Sequence, residues 1–69
     1  MIEVFKTNVK KHSQARKMVA VLQQHFPCSK INFDLHDCDN ILRIETEQLQ
    51  GGEIESLLSK AGYYCEELQ

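Results

Sequence analysis

The chain predicts an α+β two-layer sandwich of βαββαβ order, with both helices on one face of a four-stranded antiparallel sheet. Two observations carry that expectation. Two stretches repeat apolar residues at the spacing of a helix, and four short stretches are β-branched or alternate apolar with polar side chains. The six follow one another with only brief punctuation, so residues 1–69 are read as a single domain.

Ile2 to Thr7 is rich in β-branched and aromatic residues and reads as the first strand. Ala15, Met18, Val19 and Leu22 recur at helical spacing, with Phe26 one turn further, so a helix is expected over residues 13–26. Ser13 offers a side-chain oxygen to cap its start, and Pro27 ends it. Ile31, Phe33 and Leu35 then alternate with Lys30, Asn32 and Asp34, the pattern of a half-buried strand. Asp37-Cys38-Asp39-Asn40 is turn chemistry, and Leu42, Ile44 and Thr46 alternate with Arg43, Glu45 and Glu47 on the return strand. Gly51-Gly52 opens a second helix in which Ile54, Leu57, Leu58 and Ala61 form the apolar stripe. Gly62 is its left-handed stop, and Tyr63 to Leu68 is the last strand. This split βαβ order is ferredoxin-like. It leaves Lys30, Asn32, Asp34, Arg43 and Glu45 on a polar outer sheet face.

Composition narrows the function classes. Hydrophobic residues at 42% and charged residues at 26% fit a folded globular chain. Eight Lys and Arg against ten Asp and Glu leave a net charge of −2, which argues against nucleic acid, where phosphate neutralisation dominates affinity. The outer face also lacks the aromatic side chains on which an RNA-recognition module stacks bases. The N-terminal residues do not resemble a secretory signal and no apolar run is long enough to span a bilayer, so a cytosolic protein without a membrane is expected. Cys28, Cys38 and Cys65 are odd in number and irregularly spaced, which suits reduced thiols. Cys28 should lie at the far end of the sheet as a small, partly buried side chain, and His25 should favour its helix C-terminus electrostatically. No nucleophile stands beside a candidate base at a known spacing, so catalysis is not expected. A regulatory domain that dimerises through a sheet edge shares the same topology.

Four segments in register resemble the heavy-metal-associated domain of copper chaperones and metal-pumping ATPases. They are Lys6-Thr7-Asn8-Val9; Met18 with Leu22; Phe33-Asp34-Leu35 followed by Ile41-Leu42-Arg43-Ile44-Glu45; and Lys60-Ala61-Gly62-Tyr63. The likeness runs from about Ile2 to Leu68. It implies a soft-metal site at the loop that enters the first helix, where that family carries two cysteines. Those two positions correspond to Lys11 and Gln14 here. A protonated ammonium has no lone pair to give, and a neutral amide is a poor donor to copper(I) or zinc. The resemblance therefore implies a member without its ligand pair, holding no cofactor and acting as a binding or regulatory module beside metal transport. The surface expected to meet another protein is the basic loop Lys10, Lys11 and His12, with the turn near Cys38 and Tyr63 close by. The alternative is a zinc or copper carrier with unconventional ligands. His12, His36 and Cys38, joined by Cys65, are the imidazole and thiol groups that the topology sends to one end of the sheet.

Overall fold

The computed structural model describes residues 1–36, 38–47 and 52–68. Its elements run β1 (Ile2–Thr7), α1 (His12–His25), β2 (Lys30–Asp34), β3 (Ile41–Glu45), α2 (Glu53–Lys60) and β4 (Cys65–Leu68). The strands form one antiparallel sheet in the order β2-β3-β1-β4, as the ferredoxin-like reading requires. The register sets Phe5 opposite Leu42 across β1 and β3, and Phe33 opposite the same Leu42 across β2 and β3. Those side chains line the helix-covered face. Met18 and Leu22 from α1, and Ile54 and Leu58 from α2, close over them.

Alternation decides which side chains enter that layer. Phe5 and Thr7 of β1, Ile31 of β2, and Leu42 and Ile44 of β3 are buried, while Lys30, Asn32, Asp34, Arg43 and Glu45 face outward and are exposed, as expected. Ile41 breaks the pattern. It shares the outer face with Arg43 and Glu45, yet only 7% of its surface reaches water. Its cross-strand neighbours there are Lys6 and Asp34.

Several boundaries differ from the sequence expectation, each for a local reason. Helix α1 begins at His12, so Ser13 sits inside its first turn and Lys11, in extended geometry, is the N-cap. Gln14 supplies the capping bonds instead, its Oε1 accepting from the backbone N–H groups of Lys10 and Lys11 at 3.4 and 3.3 Å. Strand β4 starts at Cys65 because the two residues before it have other partners. Tyr63 N–H donates to the Leu58 carbonyl and Gly62 N–H to Ser59, a Schellman ending with Gly62 at φ 93°. Tyr64 N–H donates to Asn8 Oδ1 at 2.8 Å. Ala61 is the C-cap of α2 and is exposed, so it does not join the apolar stripe. Cys28 is likewise exposed, since the chain after Pro27 turns over the surface before β2. Asp37 of the turn and Gly51 before α2 lie outside the described residues.

Candidate functional site

The end of the sheet where β1 runs into α1 is organised by one short side chain. Thr7 is 4% exposed and closes β1. Its hydroxyl donates to the Asn40 carbonyl at 2.7 Å and accepts from Val9 N–H at 3.2 Å, while its own N–H donates to the Asp39 carbonyl. The loop after β1 is thereby fastened to the β2–β3 turn, where Asn40 takes the left-handed backbone (φ 49°) that short polar side chains tolerate. Asn8, next along, holds the entry to β4 through Tyr64 N–H. Val9 is fully buried beneath, so the loop is anchored by packing as well as by hydrogen bonds. Three segments distant in sequence meet here around residues 7–9.

On this frame Lys10, Lys11 and His12 project as exposed side chains. No acidic residue stands in the first turn of α1 to offset the positive end of the helix dipole. Gln14 is half-buried, with its carbonyl oxygen turned back on the loop backbone. Lys11 and Gln14 thus both belong to the start of α1: one supplies the N-cap backbone, the other an amide that accepts from the loop N–H groups. Tyr63, also assigned to this face, is half-buried and packs against the core.

The alternative ligands share an end of the sheet without converging. Among the described residues no group of three or more His, Cys, Asp or Glu side chains is placed to hold a metal ion. His36 and Cys38 are exposed on the hairpin turn, and His36 N–H donates to Asp34 Oδ1. Cys65 is half-buried, and burial, with the Glu55 charge adding to it, pushes its thiol up to about 12. A thiol so firmly protonated gives up its proton to a metal only at a cost. His25, at the other end of α1, has Nδ1 at 3.3 Å from the Val21 carbonyl, in keeping with a helix C-terminal role.

One feature of the helix-side face is not apparent from a count of charges. Glu3 falls on the same side of β1 as Phe5 and Thr7, and Glu67, opposite Phe5 on β4, falls beside it. A hydrogen bond to Glu67, then burial, then repulsion from Glu67 and Glu55 push the Glu3 carboxyl up to about 7. Alternation along β1, counted inward from Phe5 and Thr7, is the signal that could have found it in the sequence. The unfolded chain holds that group near 4.5, so the folded state keeps an extra proton at intermediate pH. Its stabilising contribution is complete below about pH 4.5 and is lost as pH rises through 7. Because Glu3 remains partly in water, the swing is expected to be only about 1 kcal/mol after screening. Glu3→Gln keeps a donor to Glu67 and removes the titration. Thermal melts should show wild type falling between pH 5 and 8 by about 4–8 °C relative to the variant. Parallel curves for the two proteins would refute the raised Glu3 carboxyl.

No protein-family model, curated protein or solved structure matches the chain. No helix among the described residues is long and apolar enough to cross a membrane.

Proposed function

We propose that this chain is a cytoplasmic, non-catalytic module of heavy-metal-associated type whose metal site has degenerated, and that it serves as a binding or regulatory domain beside metal transport. Support comes chiefly from Gln14. The side chain at one ligand position of the family is engaged in capping α1, and the other position is the exposed Lys11. A loop that retains its anchors at Thr7, Asn8 and Val9 but carries Lys10, Lys11 and His12 suits an acidic protein surface better than a cation.

Competition against chelators for copper(I) and zinc tests the reading on the wild-type chain. The expected result is no stoichiometric uptake and no clustered NMR shifts. Tight binding with shifts gathered at His12, His36 and Cys38 would replace it with a metal carrier using those ligands.

A further inference from the structure

β2 is an edge strand, hydrogen-bonded on one side to β3. Its residues read Lys30-Ile31-Asn32-Phe33-Asp34, with opposite charges placed symmetrically about Asn32. A groove of about 580 Å³ runs beside it, between the strand and α1, and is lined in part by Val19, Ala20, Phe33 and Leu35. Val19, Phe33 and Leu35 are only half-buried and Ala20 is exposed, so among the described residues apolar surface stays in water along a backbone edge with no strand beside it. Proteins commonly guard such an edge with charge.

We propose that two copies of the chain pair through β2, antiparallel about a two-fold axis at Asn32, so that two four-stranded sheets continue as one. In this register Asn32 faces its own copy. Lys30 faces Asp34 of the second copy, and Asp34 faces its Lys30, so the edge charges attract. On the helix side Ile31 faces Phe33 of the second copy, which covers both rings. A slip of two residues either way loses both charge pairs, and a slip of one sets inner against outer side chains. The axis stands normal to the sheet, so the two α1 helices lie on the same face and the small Ala20 side chains flank the seam.

The other edge argues the point by contrast. β4 reads Cys65-Glu66-Glu67-Leu68, and an antiparallel self-pairing with matched faces that overlaps more than one residue of the strand sets Glu66 or Glu67 against its own copy. Charge therefore selects β2 over β4. The inference goes beyond the loop reading, and neither outcome of the metal titration bears on it.

Sedimentation equilibrium of the full chain over a concentration series up to the millimolar range tests the pairing. Wild type should show a reversible dimer. Lys30→Asp and Asp34→Lys each create two like-charge contacts and should weaken it by ~tenfold or more. The double variant Lys30→Asp with Asp34→Lys restores opposite charges in the same register and should recover the dimer. Both positions are exposed, but Lys30 stands opposite Glu45 on β3, so circular dichroism must show that Lys30→Asp keeps the native fold. Asp34→Lys also loses the turn bond from His36 N–H, so Lys30→Asp carries the single-variant arm if that protein is less stable. A monomer throughout the series overturns the proposal, as do single variants that dimerise like wild type. A double variant no tighter than the singles overturns the register.

Discussion

Leu42→Ala is expected to cost about 2–5 kcal/mol and to leave much of the chain unfolded at 25 °C. Leu42 has no exposed surface and sits on β3, the strand between β2 and β1, opposite Phe5 on one side and Phe33 on the other. Truncation removes the methyl groups over which both rings close. The sheet cannot collapse into the gap, because its strand spacing is fixed by backbone hydrogen bonds. The loss is large against the whole. At ~0.05–0.15 kcal/mol per residue, a domain of 69 residues has only about 3.5–10 kcal/mol of stability in total. Lys6→Ala provides the contrast. It removes an ion pair to Asp39 at 3.8 Å, but both side chains are nearly half in water. An exposed pair of that kind is worth about 0–1 kcal/mol. Urea denaturation of the two variants should separate them clearly. Comparable midpoints for both would mean that the core does not lie where β3 places it.

Much of this fold was legible because apolar spacing is a property of the chain itself. Met18 and Leu22 on one helix, Ile54 and Leu58 on the other, and Leu42 and Ile44 between them are all buried where periodicity placed them. What failed to be legible depended on hydrogen bonds between residues whose partners are set by tertiary structure. Ser13 has the chemistry of a cap but lies inside the first turn, while Gln14 reaches back because the loop delivers the backbone of Lys10 and Lys11 to its amide. Tyr63 and Tyr64 alternate plausibly into the last strand, but Leu58 and Asn8 take their N–H groups first. Thr7 was expected as the end of β1 and as part of the approach to the first loop. That it joins the first loop to the hairpin turn follows from the register that brings Asn40 within reach. The engagement of Gln14 with the loop was not legible in the sequence, since it depends on where the backbone of Lys10 and Lys11 runs. Glu3 was missed altogether: alternation could have placed it inward, but its partner Glu67 comes from the other end of the chain.

Lys11→Cys combined with Gln14→Cys should install soft-metal binding that neither single substitution gives. Lys11 is the N-cap and Gln14 the third residue of α1, so the two positions stand on the same first turn of one helix. Thiolates there meet the positive end of the dipole, with Lys10 and His12 beside them, and both effects lower a thiol pKa. Copper(I) prefers soft sulfur donors, so the pair supplies what an ammonium and an amide cannot. The cost to the fold is small but not zero. Gln14 is half-buried and caps two N–H groups, through bonds long enough that losing them should cost only about 0.5–1 kcal/mol. Thr7, Asn8 and Val9 still hold the loop, since none of their contacts involves either substituted side chain. Chelator competition should show copper(I) affinity rising by orders of magnitude in the double variant, with near-native circular dichroism. Cys28 and Cys38 are exposed and supply the same background in each single variant, so the gain must exceed theirs. A double variant that folds as wild type but binds no tighter than the singles would mean that residues 11 and 14 do not present their side chains to a shared point. The correspondence with the metal-binding family would then fail at the loop that defines it.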